Sequence, residues 1–392
     1  MARTSALINP DVLRWARDSA GLSVDDAAKK ATVKPEKLAA WEAGEGRPSI
    51  AQLRKLARVY RRPIALFYLS KPPRTFKPMH DYRRLPGVVA GHETYALRME
   101  MRYARERREI ALELLRELTI EPPGFTFTAS VNHDPEKTAA DLRAVLDVDL
   151  DEQISWRTAY DSLNHWRAAL ESHGVLAFQT SRVDLDEMRG FSIADRPLPV
   201  VVVNGGDSPN ARVFSMLHEL AHVALRSGGI CDMEERIKRP PEDDRIEVVC
   251  NHVAGAVLVP RDALLAEKDV RDAHSTAWPD PVLKHLAGRY GVSREVVLRR
   301  LLILGRTTEA FYRRKRAEYA EEWRRRREEQ EGFAPPDVLA LGRVGRLFAQ
   351  LVLESYHQER ITSSNVADYL DVKLRHLPSI ERQAASGMAV LP

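Results

Sequence analysis

The run Phe214-Ser215-Met216-Leu217-His218-Glu219-Leu220-Ala221-His222-Val223 most narrows what this chain can fold into. Two histidines four positions apart share a face on a helix, one turn apart, close enough for both imidazoles to meet one metal ion. Glu219 then stands beside that ion, where a water would be held. The same pentapeptide occurs by chance in unrelated helices, so its surroundings carry weight. Its flanks are apolar, it follows a β-branched run, and Gly228-Gly229 closes it.

Val175 to Thr180, Met188 to Ile193 and Pro199 to Asn204 are short apolar or β-branched runs between turn residues, which predicts a small sheet. Helical spacing precedes them over 93–118, 135–146 and 155–172. A catalytic zinc needs a third protein ligand and an open position for water. The best candidate is Glu247, which begins a helical run within Arg245 to Ala256. Asn251 lies four residues on, on the same face, placed to hydrogen-bond a ligand histidine. Cys250, His252, Asp232, Glu234 and Glu235 compete with Glu247 as ligands. Cys250 faces another side of that helix and also reads as a small buried residue.

Charge is unevenly spread. Residues 1–75 hold 15 Lys and Arg against 7 Asp and Glu, a net of +8, which leaves −4 for the remainder. A polyanionic partner at the N-terminal end would explain the asymmetry, as would a solvated basic face. The pattern there is helical: Asn9-Pro10 caps a first helix that Gly21 stops, and Ser23 opens a second through Ala31. Pro35 opens a third to Ala43, and Ser49 a fourth through Tyr60. Short helices at such tight turns suit a helix-turn-helix.

Gly21-Leu22-Ser23, Ala27-Ala28, Leu38, Trp41-Glu42, Gly44, Pro48 and Leu53 to Ala57 resemble the Xre family of phage-repressor-like DNA-binding domains over residues 8–70. The resemblance implies base reading from the start of the third helix, here Lys34, Glu36, Lys37 and Ala40. That set is poor in the amides and arginines that make bidentate base contacts, so protein docking is the other reading of this helix. Arg47, Arg54, Arg58, Arg61 and Arg62 are placed for phosphate contacts.

Asp81-Tyr82-Arg83, Ala177-Phe178-Gln179, Met188 to Ser192, Val202-Val203-Asn204, His218 to His222 and Glu247 to Pro260 are similar to the ImmA/IrrE family of zinc metallopeptidases. The resemblance implies zinc held by His218, His222 and Glu247, with Glu219 as general base. Val248-Val249-Cys250 departs from the family's usual charged and small residues but keeps the ligand spacing. By this reading zinc lowers the pKa of its water, Glu219 takes the proton, and the hydroxide attacks a scissile carbonyl. No oxyanion donor is assigned; His173, His252 and Tyr160 are available but read more simply as structural.

Length fits two or three domains. The expected class is α+β: a helix-turn-helix domain at 8–70, a linker at 71–92, a zincin-like core with a small sheet at 93–265, and a helical C-terminal region at 280–392. In that last region 281–305 reads as a helical pair used for packing, 313–331 as a charged connecting helix, and Val338 to Tyr356 as one amphipathic helix. Thr362 starts another helix through Leu370, and the last dozen residues read as a tail. The longest apolar stretches fall short of the roughly 20 residues a membrane span needs. With only Cys231 and Cys250 and no secretory signal pattern, the expected setting is cytoplasmic.

Two functions follow from this layout. The first is a DNA-binding homodimeric regulator whose zinc site cleaves a specific protein in a toxin-antitoxin or stress-response locus. The alternative is an antitoxin that autoregulates its operon and neutralises a toxin by binding, with the peptidase fold as a docking platform.

Overall fold

The computed structural model describes residues 5–73, 80–81, 94–226, 229–231, 241–329 and 336–385. The chain forms two compact units. The first holds α1 (Pro10–Ser19), α2 (Val24–Ala31), α3 (Pro35–Glu42) and α4 (Ile50–Tyr60), each where the caps put it. Asn9, Ser23 and Ser49 accept from backbone amides of the following turns, and Ser49 with Gln52 completes a capping box. Alanines at 27, 28 and 31 let α2 lie close to its neighbours over a core of Leu13, Leu38, Leu53, Leu56, Tyr60 and Phe67. Arg17 forks onto the buried Glu42 at 2.9 Å, joining α1 to α3.

The next helix, α5 (Tyr95–Leu118), is divided between the units, and its start as far as Arg105 belongs with the first. The reason is that the hydroxyl of Tyr95 donates to Val59 O at 2.8 Å and the Arg102 guanidinium to Tyr60 O, so both serve the open carbonyls ending α4. The sequence boundary expected at residue 93 does not show this. Most of the linker expected at 71–92 lies outside the described residues.

In the second unit, β1 (His80–Asp81), β2 (Leu176–Thr180), β3 (Gly190–Ile193), β4 (Val200–Asn204) and β5 (Gly229–Cys231) form a sheet in the order β1-β5-β3-β4-β2. Strand β4 is fully buried, which its unbroken valines allow, and it pairs parallel with β2 and antiparallel with β3. The three runs read from sequence are β2, β3 and β4; β1 and β5 are too short to signal themselves. Around the sheet stand α6 (Pro135–Val145), α7 (Leu150–Ser155), α8 (Ala159–Ser172), α9 (Pro209–Ala224) and α10 (Pro241–Leu258). Beyond them come α11 (Arg261–Ala266), α12 (Lys268–Arg271), α13 (Asp280–Tyr290), α14 (Arg294–Ile303) and α15 (Glu309–Glu329). The arrangement is α+β, as expected. Among the described residues no helix is long and apolar enough to cross a membrane.

Helix α9 is the centre of this unit: every residue from Val213 to Ala224 is buried. Helices α13 and α14 meet at Gly291, whose φ of +65° makes the turn, and Ser293 caps α14. Val296, Val297, Leu298, Arg300 and Leu301 are buried, so α14 packs into the core through that face.

The C-terminal helices are α16 (Pro336–Val344), α17 (Arg346–His357), α18 (Ser363–Leu370) and α19 (Leu377–Ala385). The single helix expected over Val338 to Tyr356 is broken at Gly345, which has φ +78°. Any Cβ at Gly345 would strike Glu171 of α8 and the carbonyl of Ala177. Both oxygens of the buried Glu171 accept from Arg346 N at 3.1 Å, so a carboxylate from a distant helix caps α17. The tail expected over the last dozen residues overlaps the end of α19, which packs through Ile380 and Ala384, and from residue 386 on it lies outside the described residues.

Candidate metal centre

Ser208 caps α9 and Pro209 fills its first position, so the helix register is set before the histidines are reached. His218 and His222 then project one turn apart, with their Nε2 atoms 3.2 Å from each other. Helix α10 begins at Pro241, earlier than Glu247, where the helical run was expected to start. It packs along α9 and brings the Glu247 carboxylate to the same point: Oε1 lies 3.2 Å from His222 Nε2, and Oε2 lies 3.5 Å from His218 Nε2. All three side chains are at most 3 % exposed.

These distances test the fit to a metal. Donors about 2.0–2.1 Å from a tetrahedral zinc stand about 3.3 Å from one another. The observed separations bracket that value. Two ε-nitrogens and a carboxylate gathered in an apolar interior form a set that a cation completes, since unpaired buried charge is costly. Burial pushes the Glu247 carboxyl up, but hydrogen bonds from both histidines and their charge outweigh it, holding it well below the ordinary range. The carboxylate is therefore ionised, as a ligand must be.

Of the competing donors, Cys250 and His252 are described, and neither belongs to this cluster. Cys250 is fully buried, and burial, with the negative charges of Glu247 and Glu219, pushes its thiol well above the usual value, so it stays neutral. His252 points its Nε2 at Glu136, 2.7 Å away. Asp232, Glu234 and Glu235 lie outside the described residues. Among the described residues, the cluster of His218, His222 and Glu247 is the one group able to hold a metal ion.

Glu219 is 1 % exposed and lies against the start of β3. Asn251 is buried, but its Oδ1 has no hydrogen-bond partner among the described residues, and neither histidine bonds to it there. Of the oxyanion candidates, His173 turns its Nδ1 to Ala169 O and Tyr160 is exposed.

In the first unit Lys34, Glu36, Lys37 and Arg47 are exposed and Ala40 is half-buried, all at or near α3. Arg54 and Arg58 are also exposed. Arg61 and Arg62, also expected at phosphates, are half-buried, and their guanidinium groups lie over the rings of Tyr103 and Trp15, 4.1 and 4.7 Å away.

Comparison with known families agrees with this division. Residues 13–67 match the helix-turn-helix family, and residues 171–302 match the IrrE N-terminal-like domain of the peptidase M78 family. The chain matches none of the curated proteins it was compared with. The second match begins within α8 and runs to α14, so it takes in the whole of the buried cluster.

Proposed function

We propose that this chain, a helix-turn-helix domain followed by an IrrE N-terminal-like peptidase domain, is a cytoplasmic transcriptional regulator that cuts a specific protein partner. It binds DNA as a homodimer through α3, and it serves a toxin-antitoxin or stress-response locus. The observation that carries the enzymatic half is the meeting of the buried His218, His222 and Glu247 side chains, with separations of 3.2–3.5 Å that suit one metal ion.

Zinc bound by these three residues would lower the pKa of a water and polarise the scissile carbonyl. The protein's own part is played by Glu219, which takes a proton from the attacking water and returns it to the leaving amine nitrogen. Its burial on α9 keeps competing solvent from that carboxylate. Glu247 and the two histidines hold their geometry because α9 is enclosed on all sides.

Capture from the native cell tests this reading. Glu219→Gln keeps the metal ligands and removes the base, so the variant is expected to retain an intact partner that the wild type cuts, read by intact mass. If both forms hold the same whole protein stoichiometrically, the domain is a docking platform and the antitoxin reading replaces this one.

The DNA half has its own test in a low-salt shift assay on the protein's promoter. Lys37→Ala is expected to weaken binding by about 1 kcal/mol or more. Arg47→Ala should weaken all sequences alike and lower the slope of log affinity against log salt by about 0.9. No retardation of wild type by any promoter fragment would remove DNA from the proposal.

A further inference from the structure

Gly190 opens β3 and has strand neighbours on both sides, opposite Val203 of β4 and Cys231 of β5. Its approach is fixed as well: Asn204 N donates to Arg189 O at 2.8 Å, and Asn204 Nδ2 donates to Met188 O at 2.8 Å. These bonds tie the start of the strand to the end of β4. A Cβ built on Gly190 would fall 2.9 Å from Glu219 Oε1 and 3.1 Å from Glu219 Cγ. Its next neighbour is Val202 O, also at 3.1 Å. Of these atoms Val202 O is backbone, whereas Glu219 Oε1 is the far end of a flexible side chain.

We infer that Gly190 is a positioning residue: its missing side chain is the seat of the Glu219 carboxylate, and any side chain there displaces that carboxylate from its place beside the metal cluster. The role of that carboxylate in proton transfer rests on the function proposed above; the contact itself does not. A shift of well under an ångström matters because general bases act at hydrogen-bond distance, and a misplacement of about 1 Å costs about 100-fold in rate.

The sign of the substitution exposes the contact. Glycine inside a strand is weakening, so alanine at an unobstructed position raises stability. Against Glu219 it should do the reverse. In the full-length chain, Gly190→Ala is expected to lower the melting temperature by about 2–4 °C. In a Glu219→Ala background the same change is expected to be neutral or to raise it, because the obstructing carboxylate has gone. An equal loss in both backgrounds would mean that Gly190 only relieves the Val202 carbonyl, and would overturn the inference.

A second reading follows the metal environment with Co²⁺ alone as probe. The visible absorption of the Co²⁺-loaded protein is expected to move in Gly190→Ala in the direction of Glu219→Gln, with metal content unchanged. A spectrum identical to wild type overturns the positioning role. If the chain takes up no metal at all, the zinc reading fails, while the melting comparison still decides whether Gly190 seats Glu219.

Discussion

Glu247→Ala is expected to lose the metal, while Cys250→Ala and His252→Ala keep it at about one ion per chain. The two Nε2 atoms stand 3.2 Å apart and each has one Glu247 oxygen at 3.2–3.5 Å, so removing the carboxylate leaves two histidines from a single helix, a bidentate site without the negative charge that balances the cation. Loss even of groups that only support ligands costs about 10–100-fold in metal affinity, so loss of the carboxylate ligand should exceed that range. Metal analysis after dialysis against a weak chelator reads it directly. Retention in Glu247→Ala together with loss in Cys250→Ala would remove Glu247 from the ligand set. The thiol's neutrality and the pairing of His252 with Glu136 argue for the first outcome.

The second large effect is on stability, at Arg300. Its guanidinium is fully buried; it forks onto Glu136 of α6 at 2.6 and 2.8 Å and donates to Val259 O, just past α10, at 2.9 Å. Gly255 leaves room for its stem, since a Cβ there would lie 3.2 Å from Arg300 Cδ. One side chain thus ties α14 to both helices beside the cluster. Arg300→Met is expected to cost about 3–5 kcal/mol in urea unfolding, because it removes both fork bonds from the mostly buried Glu136 carboxylate and leaves it to His252 and the more distant Arg261, and adding Glu136→Gln should recover part of that loss. A loss under about 1 kcal/mol would show the pair to be peripheral.

The pH dependence of that network has a definite sign. Burial pushes the Glu136 carboxyl up, but hydrogen bonds from His252 and Arg300 and the charge of Arg300 prevail and hold it at about 2. Arg261, 3.9 Å away, adds a weaker positive neighbour. A carboxyl depressed on folding contributes stability above its unfolded pKa and loses it as pH falls through the folded one. The stability gap between wild type and Glu136→Gln is therefore full at neutral pH and closes between about 5 and about 2.

Much of the fold was legible because its signals are local. Asn9-Pro10, Ser23, Pro35 and Ser49 mark helix starts through interactions within one turn, and the structure opens α1 to α4 there. The valines of β4 announce a strand covered on both faces, and Ser293 announces α14. The misread segments answer to distant partners. The break at Gly345 exists because Glu171 and Ala177 occupy the space a side chain would need. The rings of Tyr103 and Trp15 beneath Arg61 and Arg62 could likewise not be read from the neighbouring residues. The residues expected to read bases at the start of α3, Lys34, Glu36 and Lys37, are exposed there, and their role remains part of the proposal above.

The sequence by itself determined that His218 and His222 share a helix face, because four residues of α-helix return the chain to the same side. It also determined the order of the two domains, each carried by its own run of caps and periodic residues. Only the tertiary structure decided that Glu247 joins the histidines while Cys250 and His252 turn elsewhere. It alone placed Gly190 against Glu219. Those choices depend on how α10 and β3 pack on α9, and such packing is set by the whole core rather than by the few residues on either side of any one position.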